Sequence, residues 1–289
     1  MDQDKRTGLA AGVAAYLTWG FLPIFWKSLG IVPPDEILAW RVAGSAVVAW
    51  VYLAFRRKPL SKSAMHPGVL VRIAVAAMLI GGNWGLFIWA VASERILEAS
   101  LGYYINPLVN VVLGVMFFSE RLGRKRIIAI GLAAAAVIIM TIDAGTFPWV
   151  SILLALLFGF YGLTVKGLPS QIDSIEVLAW ETAFTGPLFA GYLAYRGFNT
   201  GLHFFGYGST VTFLLILAGP VTLFPLWLFG VGAKRIPLSI LGFLQYLAPT
   251  LMLLLGVLVY GEPFSPLKGA AFILVAVALM LYTVTLRDS

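Results

Sequence analysis

One pattern, written twice along the chain, constrains the fold more than anything else in it. Glu36-Ile37-Leu38-Ala39-Trp40 returns 140 residues later as Glu176-Val177-Leu178-Ala179-Trp180, and Arg95-Ile96 and Leu101-Gly102 return as Arg235-Ile236 and Leu241-Gly242. Beyond that pair the offset becomes 142. Tyr104, Pro107, Leu113, Gly114, Val115 and Glu120 match Tyr246, Pro249, Leu255, Gly256, Val257 and Glu262, so the second copy has gained two residues. An internal repeat means one supersecondary unit used twice, and the chain divides into residues 1–143 and 144–289.

The repeated unit is apolar. Stretches near the ~20 residues that a helix needs to cross a bilayer fall at 7–29, 35–55, 69–92, 97–118 and 124–142. A second set falls at 148–166, 174–195, 209–233, 238–260 and 267–286. The composition agrees: 60% of residues are hydrophobic and 11% charged, against about 45–50% and about 25% in soluble domains. The expectation is an all-α membrane protein of ten transmembrane helices. Five spans per copy is an odd number, so the copies cross in opposite directions, as two inverted five-helix repeats. The first apolar run follows MDQDKR and could pass for a signal peptide, but it is long for one and is read as a retained helix.

Basic residues orient the chain. Lys5, Arg6, Arg56, Arg57, Lys58, Lys62, Arg72, Arg121, Arg124, Lys125, Arg126, Lys166, Lys234, Arg235 and Arg287 all fall on the side of the N-terminus. Only Lys27, Arg95, Arg196 and Lys268 fall on the other, with Arg41 inside a span. The positive-inside rule makes both termini cytoplasmic. The net charge of +7 is therefore topogenic, and nucleic acid is not an expected partner.

Polar residues at membrane depth carry the functional expectation, because hydrocarbon offers them no partner. Tyr103, Asn106 and Asn110 share one face of the fourth span, and Gln245 and Tyr246 stand at the matching place in the ninth. Tyr16, Trp19 and Pro23 in the first span and Asn83 and Trp84 in the third complete a candidate substrate pathway. For each amide the alternative is interhelical bonding. Pro107 and Pro249 occupy equivalent points and are candidate hinges. Arg41 and Glu181 are equivalent positions of opposite charge. The expected ion pairs are Arg41 with Glu98 or Glu94, and Glu181 with Lys234 or Arg235, as gates or structural links.

Several stretches also resemble a known family. These are Gly81-Gly82-Asn83-Trp84, Leu86 to Val91, Leu97 to Tyr103 and Ile105 to Asn110 in the first half. Leu241-Gly242-Phe243, Gln245-Tyr246 and Pro249 to Met252 join them in the second. In these the chain resembles the RarD proteins of the EamA family, in the drug/metabolite transporter superfamily. The resemblance implies two inverted halves around a central pathway in a bacterial inner (plasma) membrane, carrying small organic solutes. RarD proteins are named for chloramphenicol sensitivity, and the wider family includes exporters of amino acids and related metabolites.

Other classes fit less well. An enzyme needs a nucleophile with its base, paired carboxylates or a metal cluster. There is no cysteine, and His66 and His203 fall in loops on opposite sides. No phosphate loop is present, so no cofactor is expected. A channel would want a ring of selectivity charges. The expected function is a secondary transporter working by alternating access, its partners a small solute and the bilayer, with the oligomeric state open and a monomer compatible. The alternative is a membrane protein that binds a partner and transports nothing.

Overall fold

In a computed structural model the chain is described from residue 3 to 287, except 57–58, 94, 146 and 262–265; side chains at 91–92, 96–100, 144, 205, 268 and 283–287 lie outside the description. All regular structure among the described residues is helical. In chain order the helices are α1 (Gln3–Lys27), α2 (Pro34–Phe55), α3 (Pro67–Ala92), α4 (Ile96–Phe118), α5 (Arg124–Ala144) and α6 (Trp149–Lys166). Then follow α7 (Ser174–Asn199), α8 (His203–Gly206), α9 (Ser209–Arg235), α10 (Leu238–Leu244), α11 (Leu247–Leu258) and α12 (Pro266–Arg287).

Local chemistry sets several ends. Pro33 and Pro34 open α2, where a missing N–H costs nothing, and the Asp173 side chain caps α7 by accepting from the N–H of Ile175 at 3.2 Å. α5 stops at Gly145, whose φ of 68° suits a residue without Cβ. α4 stops at Ser119, the one described non-glycine residue at positive φ, 52°.

Among the described residues eight stretches are long and apolar enough to cross a membrane: six whole or nearly whole helices from α1 to α6, then α9 and the run Leu238–Leu258. α12 contributes only the shorter apolar run Gly269–Tyr282. α7 is not among the eight; it carries Glu176, Glu181 and Arg196. The ninth apolar stretch is not one helix. It breaks at Gln245–Tyr246 into α10 and α11, at the turn where Pro249 has no N–H to give the carbonyl of Gln245 and α10 packs on α4. Pro107 and Pro23 leave α4 and α1 continuous.

α2 lies against α7 and α9, α1 against α9 and α11, α3 against α6 and α7, α4 against α6 and α10, and α5 against α12. The closest backbone crossing is α2 on α9, where a Cβ on Gly219 would stand 2.4 Å from the carbonyl carbon of Gly44. The bundle has a basic end, where α1 and α7 begin and α2, α6 and α9 finish, and an opposite end.

Candidate functional site

Hydrogen bonding decides what the fourth-span amides do. Asn110 Nδ2 donates to Asn106 Oδ1 and to Gln245 Oε1, each at 3.2 Å, and all three residues are buried. α10 reaches α4 here because Gly242 has no side chain; a Cβ would meet the Asn110 Cβ at 2.5 Å. Beside the knot the Tyr246 hydroxyl donates to the carbonyl of Tyr104 at 3.1 Å. Asn106, Asn110, Gln245 and Tyr246 are thus brought together, as the contact that joins the two repeats. The open stripe expected of them is replaced by amides that bond one another, with Asn110 Oδ1 left without a partner.

Asn83 is also drawn into helix packing, its Nδ2 donating to the carbonyl of Leu154 on α6 at 2.9 Å. Trp84 is placed differently. It borders a small cavity between α2, α3, α7 and α9, with Val42, Ser45, Ile80, Leu178, Glu181, Thr182, Thr185, Leu223 and Leu226. Tyr16 and Trp19 belong to an aromatic layer with Phe158, Tyr161 and Phe229. Ring centroids there are 5.3–6.4 Å apart, and Tyr161 is stacked on Phe229. Tyr103 is more than a third exposed and packs on Phe87.

Arg41 and Glu181 stand at equivalent positions, and for Glu181 the partner differs from the one expected. Arg41 Nε donates to Thr222 Oγ1 on α9 at 3.0 Å, and its guanidinium carbon lies 4.6 Å from the ring centre of Trp26 and 5.4 Å from that of Trp84. Glu94 and the Glu98 side chain, its expected partners, lie outside the described residues. Glu181 pairs with neither Lys234 nor Arg235. Lys234 donates to the carbonyl of Ile172, and Arg235 to Asp4 Oδ1 at 2.9 Å. Glu181 Oε2 accepts only from the Tyr161 hydroxyl, at 3.4 Å, and Oε1 is buried without a partner.

The ion pairs that do link the repeats were not foreseen. At the basic end Arg56, closing α2, pairs with Glu176 and with Asp173 at the start of α7. At the opposite end Arg196, in the last turns of α7, reaches Glu36 at 3.1 Å and Asp35 at 2.9 Å at the start of α2. His203 Nδ1 joins Glu36 at 2.8 Å, and Tyr192 donates to Asp35. Glu36 and Glu176, like Arg56 and Arg196, are 140 residues apart. The signal was therefore present in the repeat; what it lacked was that α2 and α7 lie side by side and antiparallel. Glu120, matching the undescribed Glu262, accepts from the N–H groups of Leu238 at 2.6 Å and Ser239 at 3.0 Å and so caps α10.

A bundle of apolar helices that encloses amides, a guanidinium and a carboxylate has the make-up of a multi-pass membrane protein. Comparison with known proteins agrees. The model of the EamA-like transporter family matches the chain twice, over residues 6–142 and 148–284. "Uncharacterized transporter YojE" of Bacillus subtilis is 42% identical, covering 97% of this chain and 94% of that protein. "Protein RarD" of Streptomyces exfoliatus is 42% identical (98% and 90% covered) and that of Escherichia coli 40% identical (97% and 95%). A solved crystal structure shares the fold at a TM-score of 0.77, covering 99% of this chain and all of its own at 20% identity. The chain belongs to the EamA-like transporter family, among its RarD proteins, and is a membrane transporter.

Proposed function

We propose that the protein is a secondary transporter, an exporter or permease of small organic solutes, that works by alternating access between two inverted halves, residues 1–143 and 144–289, of five crossings each. The observation that carries this is the pair of Arg–Glu links, Arg56 to Glu176 at one end and Arg196 to Glu36 at the other. An arrangement in which each residue and its 140-shifted counterpart exchange ends is what a two-fold axis in the membrane plane requires. The packing list supports the same axis: α1 on α9 corresponds to α6 on α3, while α2 with α7, α4 with the α10–α11 stretch and α5 with α12 pair with their own counterparts. The double match of one family model supports it too.

In this reading the basic end faces the cytoplasm of a bacterium, with both termini there, and the structure is the state closed on that side. Glu120 on the start of α10, the amide knot and the Lys166 bond to the carbonyl of Ile236 at 2.7 Å make the closure. Solute enters from the other side, past the partly exposed Tyr103 and Arg41, to Trp84 at the cavity and the layer of Trp19 and Phe158. Aromatic faces with one cation and one carboxylate suit neutral or zwitterionic solutes, such as amino-acid-like metabolites or drugs. One relative, from Pseudomonas aeruginosa, is named "Chloramphenicol-sensitive protein RarD" at 28% identity. The test is uptake of labelled L-amino acids and chloramphenicol into proteoliposomes of the purified chain. Saturable flux of at least one is expected, and none beside a stable fold would favour a partner-binding role.

A further inference from the structure

The cavity between α2, α3, α7 and α9 has an unusual lining. Its hydroxyl groups have already spent their protons: Ser45 donates to the carbonyl of Gly219 at 3.0 Å, Thr182 to that of Leu178 at 2.9 Å, and Thr185 to that of Glu181 at 3.0 Å. Only lone pairs remain on these oxygens. Into this region comes Glu181, 3% exposed, with one oxygen held by a single long hydrogen bond and the other by nothing. A buried carboxylate with one donor is poorly solvated: the hydroxyl oxygens around it can only accept, and the Trp84 indole N–H that also borders the cavity makes no bond to it.

Charged and titratable groups on the neighbouring helices leave that need unmet. On α6, Tyr161 gives the one hydrogen bond. On α9, Lys234 is turned to the carbonyl of Ile172. On α2, Arg41 is held by Thr222 and Arg56 by Glu176 and Asp173. On α3, Arg72 reaches the carbonyl of Gly167 at the basic end. On α1, the Tyr16 hydroxyl is buried without a partner, its ring against Phe229.

We infer that Glu181 is a proton-binding site of the carrier: a proton adds to Oε1, and the carboxylate becomes a neutral carboxylic acid that donates into the acceptor-lined cavity. The inference deepens the transport reading, since a cavity between helices of both halves is where a coupling ion would be exchanged, but its test needs no solute. Infrared difference spectra of the full chain in lipid, recorded between about pH 6 and pH 9 where exposed carboxylates stay ionised, should show a carboxylic-acid carbonyl band growing as pH falls and shifting in D2O. The band should be missing in Glu181→Gln and retained in Glu120→Gln. In Tyr161→Phe its midpoint should move, because Oε2 loses the hydroxyl that bonds it. The inference is overturned by a band that survives in Glu181→Gln, by no band in the wild type, by an unmoved midpoint in Tyr161→Phe, or by a band that NaCl removes at constant pH, which would make sodium the ligand. None of these results bears on whether labelled solute crosses the membrane, so the two readings fail separately.

Discussion

At the scale of single residues the molecule spends its buried polar groups on joining the repeats. Asn110 holds Asn106 and Gln245 with one amide nitrogen, and interhelical bonds of this kind are worth about 0.6–2 kcal/mol. Asn110→Ala is expected to lower the unfolding temperature in detergent modestly, while Asn110→Leu, crowding Gly242, lowers it further; thermal size-exclusion profiles check the order. The Arg–Glu links carry more. Glu36 is fully buried and Arg196 mostly so, and removing one partner of a buried pair costs about 3–5 kcal/mol because the other charge is stranded. Arg196→Gln is therefore predicted to reduce the yield of folded protein sharply, and Arg196→Gln with Glu36→Gln to restore much of it. Equal loss in single and double variants would make the contact incidental.

At the scale of elements the sequence was legible where hydrophobicity alone decides and illegible where a neighbour does. The apolar runs and the helices coincide to within a few residues, because a span must satisfy its own backbone in lipid whatever it touches. The break between α10 and α11 could not be read. Pro107 and Pro249 are equivalent in sequence, yet only Pro249 has a disrupted turn before it, where α10 is drawn onto α4 at Gly242 and α11 leans on α1. The site residues divide in the same way. That Asn83, Asn106 and Asn110 need partners follows from residue type and depth; that the partners are Leu154 and Gln245 is a property of which helices meet. Tyr161, Phe229 and Thr222, ordinary residues in apolar runs, gave no signal. Pro249→Ala is predicted to let the ninth stretch close its turn at Gln245, slowing hydrogen exchange of the amides near 249 and lowering flux. Unchanged exchange there would mean that the break is set by the contact with α4 alone.

At the scale of the whole molecule the described residues bind the two repeats at both ends through α2 and α7, and at the basic end through α4 and α10. In the proposed transport cycle α2 and α7 form the crossing about which the halves rock, and the α4–α10 contact at the basic end is released when the other side closes. The chain has no cysteine, so single-cysteine variants can report either side without background. A carrier that offers one solute site to its two sides in turn shows counterflow. Proteoliposomes preloaded with an unlabelled solute that the chain transports should take up the labelled form faster than empty ones, transiently above equilibrium. Uptake at the same rate with and without preloading, proportional to concentration and without saturation, would contradict alternating access and make the protein a pore.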